Sequence, residues 1–174
     1  MGDNCKSNNM RAFVSHSRKD TSIVELTKNA LRVIDFSTIV YEDLPPPTEG
    51  QTDRDAISNL LENCNLVFLF LTHNVSDSEH TRAWIEYEVA GASFLKKPLI
   101  VFQLIGEKPA IPIVYWTDVL VWSREPARQV VEVQRVARAF AHDGYPILRA
   151  ITGAVIGSVL GPVGAVGGCF HRTC

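Results

Sequence analysis

Residues 66–71 read Leu-Val-Phe-Leu-Phe-Leu (LVFLFL), which is apolar at every position. Strands that are covered on both faces have this composition, whereas a strand with one wet face alternates apolar and polar side chains. A central strand of a parallel sheet is therefore predicted here. Four further short β-rich runs lie along the chain, at residues 11–15 (RAFVS), 37–41 (STIVY), 98–105 (PLIVFQLI) and 118–122 (DVLVW).

Helical patterns separate these runs. Apolar residues recur at three- and four-residue spacing at Ile23, Leu26, Ala30, Leu31 and Ile34, and again at Ile57, Leu60, Leu61 and Cys64. The segments 84–95 and 125–142 read as two more helices. Alternating strands and helices predict an α/β fold, a flavodoxin-like three-layer structure with a five-stranded parallel sheet.

Two connections have the composition of loops. Residues 42–52 (EDLPPPTEGQT) carry three prolines and a glycine, which neither a helix nor a central strand accepts. Residues 72–82 (THNVSDSEHTR) are polar and are expected to be a loop before the helix that starts near Trp84. In a sheet of this type, ligands bind beyond the carboxyl ends of the strands, so the loops after the first three strands are the place to look for a site.

Composition excludes several classes of function. The 174 residues suffice for one domain, and a formal net charge of −2 leaves no electrostatic footprint for nucleic acid. The four cysteines are scattered, and no paired C-x-x-C sets up a zinc site, so no metal site is expected and a reducing, cytoplasmic setting fits best. The polar residues 1–10 have no apolar segment of the kind found in secretory signals and are predicted to be a flexible arm; the domain is predicted to occupy 11–144.

Three motifs stand in the loops that the fold predicts to be functional. The first is Phe13-Val14-Ser15-His16-Ser17-Arg18-Lys19-Asp20, at the end of the first strand. The second follows the second strand and consists of Asp43, then Gly50, Thr52 and Ile57. The third is Trp84-Ile85-Glu86-Tyr87-Glu88, after the third strand.

Together these motifs resemble those of TIR (Toll/interleukin receptor) domains of the bacterial and archaeal type. They are similar to the family's F-I-S-H/Y-S-x-x-D, D-x6-G-x-S/T-x4-I and W-x3-E patterns, and the resemblance extends from about Arg11 to His142. Receiver domains, flavodoxins and nucleoside deoxyribosyltransferases share the layered architecture, but none explains all three motifs. The chain departs from the family in one place, because the connection between Thr72 and Trp84 is several residues longer than usual.

Some members of this family cleave the N-glycosidic bond of NAD, and others signal only by assembly. For this chain, resemblance to the enzymes implies that Glu88 is catalytic and that NAD is a substrate rather than a cofactor. The implied products are nicotinamide and ADP-ribose or a cyclic isomer. The implied setting is antiviral or cell-death signalling. It also implies a cleft lined by Phe13, Ser15, His16, Arg18, Asp43 and Trp84. The resemblance further implies a homo-oligomer held by TIR–TIR contacts, made through the loop that contains Pro45, Pro46, Pro47 and Gly50.

Each of these residues also has a purely structural interpretation. A glutamate on a helix, taken alone, is usually a solvated surface group, and Glu86 is expected to be one. Trp84 could cap the core, His16 could bond only to backbone, and Arg18 could solvate its loop. The alternative to an NAD-cleaving enzyme is therefore a non-enzymatic TIR scaffold that acts by TIR–TIR assembly.

A tail is predicted after the domain, at residues 145–174. Its positions 150–170 carry no charge, and glycines recur at 153, 157, 161, 164 and 167. This spacing resembles a glycine zipper, which would let helices pack closely in a membrane or an oligomer. Six glycines and Pro162 in the same stretch also make a poor helix in water, so a flexible tail is the other interpretation.

Overall fold

The structure, a computed structural model, describes residues 10–46, 49–106 and 115–143. At its centre is a sheet of five parallel strands in the order β2-β1-β3-β4-β5. The strands are β1 (Arg11–Ser15), β2 (Ser37–Ile39), β3 (Leu66–Leu71), β4 (Leu99–Leu104) and β5 (Asp118–Trp122). Every residue of β3 is buried, which confirms LVFLFL as the central strand covered on both faces.

Helices cover both faces of this sheet. They are α1 (Thr21–Arg32), α2 (Asp53–Glu62), α3 (His73–Ser76), α4 (Glu79–Phe94) and α5 (Pro126–Asp143). Helix α1 packs beside α5, and α2 packs beside α4. The strand order 2-1-3-4-5 is that of flavodoxin-like folds, so the three-layer α/β architecture predicted from the sequence is confirmed.

The alternation of side chains along each strand divides the core into two layers. Phe68, Phe70, Phe102 and Trp122 face the α1/α5 layer, where Phe70 and Phe102 stack with their ring centroids 4.9 Å apart. The other face carries, among others, Phe13, Val67, Leu69, Leu99 and Val101, which pack against Ile57 and Leu61 of α2 and Ile85 and Val89 of α4. Burial of these two faces is the main stabilisation of the fold.

Two boundaries differ from those predicted. The second strand was expected to reach residue 41 but ends at Ile39, and Tyr41–Asp43 form a short 3-10 turn. The predicted loop 72–82 instead contains α3 and the first turn of α4, because the Ser78 hydroxyl accepts a hydrogen bond from the Thr81 amide at 3.2 Å and caps the helix. Trp84 is consequently the sixth residue of α4 rather than its first.

The sheet order places the candidate site. The first crossover runs from β1 to β2 at the edge, and the chain then returns to the other side of β1 to form β3. The order of strands therefore reverses between β1 and β3, and the crevice at their carboxyl ends is where such folds bind ligands. The first and third motifs both lead into this crevice.

Several predictions fall on residues outside the described ranges. They are the arm at 1–9, Pro47, the boundary after 144 and the whole tail, and they remain predictions. Within the described ranges, no helix combines the length and apolar composition needed to cross a membrane.

A buried carboxylate joins the loop after β1 to the loop after β3. Asp20, 4% exposed, accepts hydrogen bonds from the Thr72 hydroxyl at 2.7 Å and from the Asn74 amide at 2.5 Å. We expect Asp20→Ala to lower the free energy of unfolding by about 2 kcal/mol, because one buried and one part-buried donor lose a charged acceptor. Urea denaturation measures the change, with the exposed Asp77→Ala as control. Equal losses in the two variants would show that the link contributes nothing.

Candidate active site

Glu88 lies on the buried side of α4. The buried residues of this helix are Ile85, Glu88, Val89 and Ala92, at the spacing of a single helical face, so Glu88 occupies a position where an apolar residue would normally pack. It is 9% exposed, and its carboxylate accepts a hydrogen bond from the Ser15 hydroxyl at the end of β1. Glu86 is exposed, as predicted.

This environment changes the ionisation of Glu88. The pKa of Glu88 is raised to about 7. Desolvation by burial is the largest cause, and the charge of Glu42 adds to it, whereas the hydrogen bond from Ser15 partly opposes both. The carboxyl group is therefore close to half protonated at neutral pH. Because Glu88 is only 9% exposed, its interpretation as a solvated surface group is wrong.

A small cleft opens above Glu88. Its volume is about 70 Å³, and it lies between the loop after β1, the 3-10 turn after β2 and helix α4. The polar and aromatic residues that line it are His16, Arg18, Tyr41, Glu42, His80, Thr81, Trp84 and Glu88. Glu88 is at the buried end of this set and Arg18, whose side chain is 77% exposed, is at the solvent end.

His16 and Arg18 both approach Glu42. The His16 side chain is 6% exposed, and its Nε2 lies 3.8 Å from Oε2 of Glu42. Burial lowers the pKa of His16, against the opposing effects of the carboxylates of Glu42 and Asp20, so its imidazole is neutral at pH 7. The Arg18 Nε lies 3.7 Å from Oε1 of Glu42. Among the described residues that line the cleft, Arg18 is the one arginine or lysine, and it lies at the rim.

The indole of Trp84 is held by its own helix. Its Nε1 donates a hydrogen bond to Nε2 of His80, one turn earlier, at 2.8 Å. The Trp84 ring also packs edge-to-face against Tyr87, with centroids 6.1 Å apart. Trp84 is partly exposed and lines the cleft together with Glu88, four residues later, as their spacing predicted.

Three of the residues implied by the resemblance lie outside the cleft lining. Phe13 is fully buried in the layer formed by α2 and α4. Asp43 turns outward, and its carboxylate pairs with the Lys28 amine of α1 at 2.8 Å. Ser15, 2% exposed, lies beneath Glu88 and acts on the cleft only through that carboxylate. For these residues, direct contact with a ligand stays a prediction.

The second motif has a structural explanation. Gly50 has φ of +85°, a conformation that residues with a Cβ rarely adopt. Thr52 caps α2 through a reciprocal pair of bonds with Asp55, and Ile57 is in the core with 1% exposure. Pro45 and Pro46 are exposed, as residues of a contact loop should be.

The sequence analysis missed four polar or aromatic residues of the cleft, Tyr41, Glu42, His80 and Thr81. Tyr41 and Glu42 immediately follow the second strand, and their position at the carboxyl end of a parallel strand is the signal that would have identified them. His80 was assigned to a loop, although it stands four residues before Trp84 and so shares its helical face. Within the described residues, no group of three or more His, Cys, Asp or Glu side chains could hold a metal ion.

Comparison with known proteins gives no match at the level of sequence: no family model and no curated protein matches the chain. Among solved structures, the CMP N-glycosidase BcmB of Clostridium botulinum is similar over 71% of this chain and 97% of its own, with 14% identity and a TM-score of 0.49. The TIR domains of the activated Roq1 resistosome are similar over 56% of this chain and 59% of theirs, with 13% identity and a TM-score of 0.46.

The chain spans less than two thirds of that second structure. With TM-scores below 0.5, neither likeness assigns a residue or a reaction to this chain.

Proposed function

We propose that this protein cleaves the N-glycosidic bond between nicotinamide and ribose in NAD, giving nicotinamide and ADP-ribose or a cyclic isomer. The observation that carries the proposal is the buried carboxyl group of Glu88, which is bonded to Ser15 and exposed to the cleft at the reversal of strand order. A fold does not retain a desolvated carboxylate on the core face of a helix for stability, since burial of a charge is costly.

The chemistry needs only one carboxylate for bond cleavage. Nicotinamide leaves as a neutral group and requires no general acid, unlike the leaving group of an ordinary glycosidase. As the bond breaks, positive charge develops on the ribose. The ionised form of Glu88 is placed to stabilise this charge from a site of low dielectric, where such stabilisation is strongest.

The other residues of the cleft have roles consistent with a dinucleotide. Arg18 at the rim suits a phosphate, and the neutral imidazole of His16 can hydrogen-bond to a ribose hydroxyl. The partly exposed ring of Trp84 offers a face for the nicotinamide. Ser15 is a positioning residue in this scheme, because it holds the Glu88 carboxylate.

The cleft is smaller than its proposed substrate. Its volume of about 70 Å³ is far below the roughly 300–1,000 Å³ of typical ligand pockets, so binding of NAD requires its walls to separate. One wall, Tyr41–Asp43, continues directly into the loop that contains Pro45, Pro46 and Gly50. We therefore propose that homo-oligomer contacts through this loop accompany the active state.

Two consequences of assembly can be measured. Activity per molecule should rise with protein concentration. Gly50→Val should weaken self-association: a Cβ at Gly50 meets nothing within 4 Å, so its effect on the monomer is limited to the strained φ, at about 1 kcal/mol. Gly106→Val is the matched control, since Gly106 has φ of +82° and equally open surroundings. Light scattering measures the association, and equal association of the two variants would contradict this use of the loop.

The function itself is tested by incubating the purified protein with NAD at high protein concentration and separating the products by chromatography. Nicotinamide release supports the enzyme. Absence of any cleavage in the assembled protein would leave the scaffold alternative, in which the same loops serve only as contact surfaces.

We propose a cytoplasmic setting, with residues 150–170 as a contact for a membrane or for other copies of the chain.

A further inference from the structure

The cleft contains a second carboxylate that bond cleavage does not use. Glu42 lies on the 3-10 turn after β2, and its side chain is 35% exposed, whereas Glu88 on α4 is 9% exposed. Both line the same small cavity. One acidic group is therefore buried at the base of the cleft, and the other is in contact with solvent.

We propose that Glu42 is the catalytic base of the hydrolytic step, which takes the proton from the water that attacks the ribose. This inference rests on the proposed function. In the first part of the reaction, the bond between C1′ and the pyridinium nitrogen breaks, and its electron pair leaves with neutral nicotinamide. In the second, the water oxygen bonds to C1′, one water proton passes to the Glu42 carboxylate, and Glu42 releases that proton to bulk solvent.

The environments of the two carboxylates divide these tasks. Glu88 is 9% exposed and is bonded to Ser15, so its carboxylate has much less contact with solvent than that of Glu42. Its charge is also needed opposite the developing positive ribose. Glu42 is partly exposed and can exchange a proton with solvent after each turnover.

The contacts of Glu42 leave its oxygens available for water. Its two neighbours, His16 at 3.8 Å and Arg18 at 3.7 Å, both lie beyond hydrogen-bond length. They hold the carboxylate electrostatically, and neither saturates its acceptor sites. A water molecule in the cleft can therefore donate to Glu42 while its oxygen faces the ribose.

This role separates two reactions of the same intermediate. When nicotinamide or another pyridine attacks the ribose, its ring nitrogen carries no proton and no base is needed. When water attacks, a proton must be removed. Loss of Glu42 should thus impair hydrolysis and spare base exchange, whereas loss of Glu88 should impair both.

The experiment compares the wild-type protein with Glu42→Gln. Glutamine has nearly the same size as glutamate, and position 42 is partly exposed. Hydrolysis is measured as ADP-ribose formed, and exchange as isotopically labelled nicotinamide incorporated into NAD. We expect Glu42→Gln to hydrolyse NAD about a hundredfold more slowly, the range of general-base catalysis, with exchange within about twofold of wild type. Glu25→Gln, an exposed substitution on α1, is the matched control for the loss of one negative charge.

Four results overturn the inference. Two concern Glu42→Gln: unchanged hydrolysis, or an equal loss of hydrolysis and exchange. The third is a wild-type product that is wholly cyclic. The fourth is that His16→Asn loses hydrolysis selectively and Glu42→Gln does not. Circular dichroism excludes misfolding, and if Glu42→Gln misfolds, Glu42→Asp replaces it and should retain part of the hydrolysis. A wild-type protein without either reaction would refute the proposed function itself, and a Glu88→Gln variant that keeps exchange would do the same.

Discussion

Glu88→Gln is expected to slow nicotinamide release from NAD by roughly a hundredfold or more, equivalent to about 3 kcal/mol of transition-state stabilisation. Glutamine keeps the size of the side chain and removes the charge that faces the developing oxocarbenium ion. The same requirement for the ionised form makes kcat/KM of the wild-type protein rise with pH up to about 7, where the free enzyme loses the Glu88 proton.

Glu86→Gln is the matched control for this substitution. Glu86 is on the same helix, two residues away, and is exposed, so its replacement should change the rate little. The two variants must be compared at the same oligomeric state, because loss of assembly would mimic loss of chemistry. Full turnover by Glu88→Gln would refute the assignment of Glu88 as the catalytic group.

The stability of the protein should depend on pH through the same carboxyl group. The pKa of Glu88 rises from an ordinary value of 4.5 to about 7 on folding, so between these limits the folded state binds more protons than the unfolded state. The free energy of unfolding contributed by Glu88 is therefore fully present below about pH 4.5 and is lost as the pH rises through about 7. At about 1.4 kcal/mol per pKa unit, the loss between pH 5 and pH 8 is roughly 2 to 3 kcal/mol.

Other groups also titrate in this range, so the measurement is the difference between wild type and Glu88→Gln. Urea denaturation at pH 5, 6, 7 and 8 gives the free energy of unfolding of each protein. We expect Glu88→Gln to gain roughly 2 to 3 kcal/mol on the wild type from pH 5 to pH 8, because glutamine cannot ionise. Parallel pH profiles would mean that Glu88 is not desolvated in solution, which would also remove the electrostatic basis of its proposed role.

Taken together, these two results would place stability and activity in opposition at one residue. Above neutral pH the charged form of Glu88 destabilises the fold, and the same form is the one that the reaction uses. Catalytic groups commonly have this property, since an environment that strengthens their electrostatic effect also penalises their charge.

The order of strands and helices could be predicted from the sequence because it depends on local patterns. Apolar runs such as LVFLFL and helical spacing such as that of Ile57 and Leu61 are properties of neighbouring residues. Polar composition misled the assignment of 72–82, where a single capping serine starts α4 five residues before Trp84. A cap is also a local signal, and the pattern Ser78-Glu79-His80-Thr81 contains it.

For the candidate site, the sequence by itself determined that Trp84 and Glu88 share one face of a helix, and that this helix and the Ser15–His16 loop follow the third and the first strand. Only the tertiary structure decided that this face is turned inward, so that the carboxylate of Glu88 meets a hydroxyl 73 positions away. It also decided that Phe13 is core, that Asp43 pairs with Lys28 and that Glu42 enters the cleft. The physical reason is that desolvation and charge act through space: the pKa of a carboxyl group depends on every group packed around it, and a linear pattern records only its neighbours along the chain.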